Sequence, residues 1–265
     1  MRPCISEFSY GFALTEELLH TFGTGGKALA APVLPSLINE ATVGYDLKME
    51  VSVGVFFLQF KLTEKMVGRN ATEAKQGHFK LPFYRMHLRP LGNSAQHNLL
   101  FKLETKHPEC VWYAAPAFYL ASEFDDAYTK TKVVERSVFI RPSLVGRLTD
   151  YEEHHISFTN ATAHNYRVYS KNGRDIDGMR GAEFVGRIEE RRSSSPTNKW
   201  RRVSELDGLL NDVIGLAQER GAKSISRDRF SKQKDRTPRQ VAREVSYVAR
   251  TYLGLQMFVV SENET

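Results

Sequence analysis

The sequence predicts an α/β fold of the α+β type with a mixed central sheet, and three observations carry that expectation. Apolar residues recur at helical spacing in some segments and at period 2 in others. The two kinds of segment alternate along the chain, as layered helix-and-sheet folds require. A length of 265 residues suits one large domain, or a core with an appendage. A chain of this length buries about three-quarters of its unfolded surface and needs no disulfide framework. Cys4 and Cys110 stand without a partner motif, which argues against both a disulfide scaffold and a zinc site.

The first element is an amphipathic helix over 12–22. Leu14, Leu18, Leu19 and Phe22 share a face, Thr15 is the expected cap and Gly23 the stop. The stretch GTGGKALAAPVLP over 23–35 is a loop by its glycine and proline content, and it lacks the GxxxxGK[ST] pattern of a phosphate-binding loop. A short helix follows over 34–40. Three strands come next. Over 43–51, Tyr45, Leu47 and Met49 alternate with Asp46, Lys48 and Glu50; over 55–62, Phe56, Leu58, Phe60 and Leu62 alternate with Phe57, Gln59 and Lys61. Gly54 between these runs suggests a hairpin. The third run, 78–88, is rich in Phe, Tyr and Leu. Leu99, Leu100 and Leu103 give 93–106 a helical period, and 111–118 is an apolar run typical of a buried strand.

Downstream, the pattern predicts a helix over 122–135, short strands over 137–141, 155–158 and 165–170, and helices over 203–220 and 238–252. Thr237-Pro238 opens the last helix in the Ncap–N1 arrangement, and 255–260 is a final strand. The expected division is a core over 1–140 and a basic C-terminal α/β extension over 141–265.

A net charge of +6 and a pI near 9.2 favour polyanionic partners. The charge is concentrated: Lys223 to Arg243 carries eight basic and two acidic side chains. Lys223, Arg227, Arg229, Lys232, Lys234 and Arg236 are the candidate phosphate contacts, with Trp200, between Lys199 and Arg201, as a stacking candidate. The competing reading of such a run is a solvated loop and helix face. Trp112 and Tyr113, inside an apolar strand, read as core. No apolar stretch reaches the ~20 residues of a membrane span. No basic-then-apolar leader opens the chain, so the expected location is the cytoplasm, with no membrane partner. The triplets at Asn70, Asn160 and Asn263 are glycosylation acceptors only in a secreted chain. His154 and His155 point to opposite faces of a strand and cannot easily share one metal with His164. Ser143, Ser157 and Ser170 lack a nucleophile-elbow context.

The chemistry gathers on two strands. Period 2 puts Gln59 and Lys61 on one face, and a hairpin brings Asp46 within reach of both. A carboxylate, an amide and an ammonium at one sheet edge suit phosphodiester hydrolysis. A hard cation, Mg²⁺ or Mn²⁺, takes oxygen ligands: the Asp46 carboxylate, the Gln59 side-chain carbonyl and the Phe60 backbone carbonyl. Such a metal polarises a phosphoryl oxygen and acidifies bound water, while Lys61 orients that water or meets the developing charge. An acid from the first helix completes the set: Glu16 first, then Glu7 and Glu40. The bland alternative is a solvated hairpin face. The strong apolarity of 55–58 opposes it, because an inward-facing Gln-x-Lys on a central strand needs a reason.

Asp46 followed by Gln59-Phe60-Lys61 resembles the metal motif of the PD-(D/E)XK nuclease superfamily. The form with glutamine replacing the middle acid is similar to that of Holliday-junction resolvases and some restriction endonucleases. The superfamily core runs helix, three strands, helix, strand, and the order read here over 12–118 matches it across under half the chain. Gly44-Tyr45 stands where many members place a proline before the aspartate. The resemblance implies a restriction-endonuclease-like core and a metal-dependent nuclease of bacterial defence or repair, acting on DNA before RNA. Two rival readings are an inactive nuclease fold that binds nucleic acid, and an interaction subunit of a defence complex. A homodimer or a defence-complex partner is the protein association these readings allow.

Overall fold

Helix α1 (Glu7–Phe22) starts earlier than its apolar period suggests. Ser6 caps it, its Oγ accepting the Ser9 N–H at 2.9 Å. Thr15, the expected cap, lies buried inside the helix, and its Oγ1 has no hydrogen-bond partner. The period revealed only the face that begins at Leu14; the first turns are anchored by the fully buried Tyr10, whose hydroxyl donates to Ser137 at 2.9 Å. This is a computed structural model describing residues 1–22, 55–170, 173–194, 203–222, 225 and 236–259. The expected helix over 34–40 and the expected strand over 43–51 lie outside the described residues.

The next elements are β1 (Val55–Phe60), β2 (Thr63–Met66), α2 (Thr72–Lys75), β3 (Phe83–Leu88), α3 (Gln96–Lys106), β4 (Val111–Pro116), α4 (Ala121–Thr129) and β5 (Ser137–Ile140). They are followed by α5 (Pro142–Val145), β6 (His154–Phe158), β7 (Tyr166–Tyr169), β8 (Arg174–Ile176), β9 (Met179–Arg180) and α6 (Gly181–Ser194). The chain continues through α7 (Val203–Glu219), α8 (Pro238–Val248), a π-helical turn (Ala249–Leu253) and β10 (Gln256–Val259). The Thr237 capping box opens α8, with Thr237 N–H on Gln240 Oε1 at 2.7 Å.

Among the described residues the strands form two five-stranded sheets. The first, ordered β10-β1-β4-β5-β9, is mixed: β1 and β4 run parallel and the other pairs antiparallel. The second, β2-β3-β6-β7-β8, is antiparallel throughout. The expected mixed α/β class therefore holds, with two departures in topology. The strand expected third in the central sheet, β3, belongs to the second sheet. The antiparallel neighbour of β1 is the C-terminal strand β10, in register Phe56↔Phe258 and Leu58↔Gln256. The anticipated boundary near residue 140 thus cuts through one sheet, since β9 and β10 join β1, β4 and β5 in it.

Each face of the first sheet has its own core. On one side α1 and α6 cover Phe56, Leu58, Phe60, Trp112 and Phe139, with Phe184 stacked on Phe139 at 3.9 Å between ring centres. Trp112 and Tyr113 are core residues, as read from the sequence. A Cβ on Gly11 would stand 2.4 Å from the Phe60 ring, so glycine there lets α1 lie directly on β1. On the other side α3, α7 and α8, with the inner face of the second sheet, enclose Val55, Phe57, Val111 and Tyr113. Every residue of β1 is buried. The strand is central, and any polar side chain on it must find partners inside the protein.

Candidate functional site

Alternation along β1 sends Phe56, Leu58 and Phe60 towards α1, and Val55, Phe57 and Gln59 towards α3. Lys61 directly follows the strand, its N–H donating to the Ala114 carbonyl at 2.9 Å and so extending the parallel pair with β4. Gln59 is 1% exposed and Lys61 9% exposed. Gln59 Nε2 donates to the Phe60 carbonyl at 3.3 Å, and Gln59 Oε1 accepts from Gln96 Nε2 at 2.9 Å. The same Gln96 nitrogen donates to the Leu253 carbonyl at 3.2 Å. The buried amide is therefore tied both to the start of α3 and to the π-helical turn.

Next to Gln96, His97 is 2% exposed. Its Nε2 lies 2.7 Å from the Gly146 carbonyl, which only accepts, so Nε2 carries the proton. Nδ1 then accepts from the Tyr113 hydroxyl at 2.8 Å. Burial pushes the His97 pKa down to about 4, with the charges of His154 and Lys61 acting in the same direction. The sign follows: the unfolded imidazole takes a proton near pH 6.5 and the folded one refuses it until about 4. Stability from His97 is full above pH 6.5 and declines as pH falls towards 4, by about 1.4 kcal/mol per unit. Chemical denaturation between pH 7 and 4.5 should show this slope in the wild type and a shallower one in His97→Gln.

The acid near Lys61 comes from the first turn of α1. Burial pushes the Glu7 carboxyl above its ordinary 4.5, while the positive charges of Lys61 and Arg89 pull it back. Glu7, the second choice from sequence, is thus the helix acid associated with Lys61. Glu16, the first choice, sits about 13 Å further along the helix axis at 1.5 Å per residue. It accepts a hydrogen bond from Tyr128 at 2.7 Å instead. Spacing along α1 could not decide between them, because that depends on which end of the helix meets the carboxyl end of β1.

Asp46 and Glu40 lie outside the described residues, as do Trp200, Lys223, Arg227, Arg229, Lys232 and Lys234. Arg236 is described, and its expected role as a phosphate contact is corrected. Its side chain is 9% exposed, and the two arms of its guanidinium pair with Asp207 and Glu244, each at 2.5 Å. It fastens α7 to α8. The histidines are likewise occupied: His154 meets Asp150 at 2.8 Å, His155 meets Glu73 at 3.0 Å and His164 lies 3.6 Å from Glu183. Among the described residues, no three His, Cys, Asp or Glu side chains group to hold a metal ion.

Four residues near this site escaped sequence reading: Arg89, Gln96, His97 and Arg220. None belongs to a recognisable motif: the crossover from β1 through the second sheet to α3 supplies Arg89, Gln96 and His97, and the end of α7 supplies Arg220. The carboxyl ends of the parallel pair β1 and β4 lie side by side at one end of the first sheet, a position where open α/β sheets bind ligands. No helix among the described residues is long and apolar enough to cross a membrane. Comparisons with family models, curated proteins and solved structures return no match.

Proposed function

We propose that the chain is a metal-dependent nuclease of the PD-(D/E)XK type, cutting phosphodiester bonds of DNA in preference to RNA. One observation carries the reading: an acid of the first helix, Glu7, lies within the electrostatic reach of Lys61 at the carboxyl end of a buried strand that also bears Gln59. A carboxylate that burial disfavours is stabilised by added positive charge, which suits a site completed by a cation. The Glu7 carboxylate, Gln59 Oε1, the Phe60 carbonyl and Asp46 are hard oxygen donors of the kind Mg²⁺ or Mn²⁺ takes. The metal supplies Lewis acidity and a more acidic water. Lys61, nearly withdrawn from solvent, holds an ammonium where a phosphate gathers charge, and the low local dielectric strengthens its effect.

One observation favours a second reading, a nuclease fold that binds nucleic acid without cutting it. Gln59 Oε1 is already engaged by Gln96. Incubation with linear, circular and single-stranded DNA and with RNA, in Mg²⁺, Mn²⁺ or EDTA, separates the two. Cutting in either metal that stops in EDTA is the expected result. Salt-sensitive binding with no cutting under any metal selects the second reading. A protein that neither binds nor cuts removes both.

A further inference from the structure

We propose that the groove between α1 and α4 docks a helical segment of another protein, one that carries a stripe of apolar side chains ending in a lysine or arginine. The two helices run side by side in the same direction. Ahead of both, Cys4 N–H donates to the Tyr119 carbonyl at 2.7 Å; beyond α4, Val133 N–H donates to Glu17 Oε2 at 2.7 Å. Phe118 floors the groove between them, its ring centre 6.2 Å from that of Tyr10 on α1 and 5.8 Å from that of Phe124 on α4. Each helix carries a ridge at four-residue spacing: Phe8, Phe12 and Glu16 on α1, and Leu120, Phe124 and Tyr128 on α4 and its N-cap. The ridges meet where the Tyr128 hydroxyl donates to Glu16 at 2.7 Å. Seven large apolar side chains are exposed among the described residues, and Phe8, Phe12, Leu120 and Tyr128 are four of them. Bare apolar side chains gathered on adjacent helices mark a surface for another protein to cover.

Charge decides what that partner carries. At its carboxyl end the groove opens into a cavity of about 310 Å³ whose polar lining is Glu16, Glu17, His20, Tyr128, Thr129 and Thr131. No lysine or arginine stands in either helix or in that lining. The cations that follow α4 are turned to other acids, Lys130 to Asp126 at 2.5 Å and Lys132 to Glu135 at 3.3 Å. Both carboxylates are fixed, Glu16 by the Tyr128 hydroxyl and Glu17 by the Val133 N–H. Thr129, the last residue of α4, brings a helix carboxyl end to the cavity, and such an end favours a cation. The chain has a net charge of +6, yet this face is acidic. It repels the phosphates of nucleic acid and of lipid headgroups, which leaves a basic protein segment as the complementary occupant. A lysine or arginine there lays its apolar stem along Tyr128 and extends its charge to Glu16 and Glu17.

Fluorescence anisotropy with a set of labelled helical peptides tests the groove on the full chain. The peptides share a leucine stripe at four-residue spacing and end it with arginine, alanine or glutamate. Wild type is expected to bind the arginine peptide about 10-fold tighter than the alanine peptide, and the glutamate peptide most weakly. Phe12→Ser should weaken the arginine peptide about 5- to 10-fold, as truncating an aromatic anchor does. Glu16→Lys should reverse the preference, so that glutamate binds better than arginine. Should Glu16→Lys unfold, the wild-type ranking and Phe12→Ser, at an exposed position, decide together. Binding of no peptide, equal affinity for all of them, or binding that survives Phe12→Ser unchanged would overturn the proposal. So would a wild-type dimer in sedimentation velocity that Phe12→Ser turns into a monomer, because a second copy would then be the occupant.

Discussion

Lys61→Met is expected to lower metal-dependent cleavage by about 10²–10³-fold, the usual cost of removing one preorganised group that stabilises transition-state charge. Methionine retains most of the apolar stem that lies buried after β1 and deletes the ammonium, so the packing beneath the site should survive. Thermal unfolding of the variant checks this. The burial of Lys61 makes the effect large: the same charge on an exposed strand face would be screened by water to a small fraction of its value. Glu7→Gln removes the helix carboxylate and should raise the metal concentration needed for half-maximal rate. The two changes act on one site, so the double variant should fall well short of the product of the single losses. A folded Lys61→Met protein that cuts at the wild-type rate would place the chemistry elsewhere on the chain.

What was legible beforehand was the local part. Period 2 in 55–62 puts Gln59 on the face opposite Phe56, Leu58 and Phe60, and the structure has it there, bonded to Gln96, because one core takes the even positions and another the odd. Helices α3, α7 and α8 and strands β4, β5, β6, β7 and β10 stand within a few residues of expectation, except that α8 gives way to a π-helical turn at Ala249. Long-range pairing was not legible. Nothing in the run Gln256–Val259 says that its partner is Val55–Leu58, two hundred residues away. The sequence favours a hairpin through Gly54 because short loops cost little entropy to close, and that turn lies outside the described residues. The charge run misled at Arg236 for a related reason: composition records the cation, while Asp207 and Glu244 enter only when α7 and α8 pack together. Glu7 precedes the apolar period that marks α1, so that period carries no sign of it.

Replacing Glu73 by alanine is expected to remove about 3–5 kcal/mol of stability, the cost of breaking a buried ion pair from one side. Glu73, in the single turn of α2, is fully buried. Its carboxylate accepts Arg85 Nε at 2.9 Å, Arg85 Nη2 at 2.5 Å, His155 Nε2 at 3.0 Å and Ser157 Oγ at 2.7 Å. Its own carbonyl accepts the N–H groups of His78 and Phe79, so the residue also orders the approach to β3. Alanine leaves the Arg85 guanidinium and the Ser157 hydroxyl without their acceptor; glutamine keeps one oxygen and should cost less. Burial alone would push the Glu73 carboxyl up, but the hydrogen bonds from His155, Arg85 and Ser157 together outweigh it and hold the group far below its ordinary 4.5. With the folded value depressed, the stabilisation is complete above pH 4.5 and is lost as acid takes the solution down through the folded value. His155, whose pKa burial lowers, adds a decline that begins at its unfolded value near 6.5, as His97 does. Denaturation curves should therefore coincide in slope for wild type and Glu73→Gln above pH 6.5, where neither His155 nor Glu73 titrates, and diverge below pH 4.5, the wild type falling more steeply. Parallel curves through pH 3, or an alanine variant within about 1 kcal/mol of wild type, would mean that α2 is not held by this carboxylate.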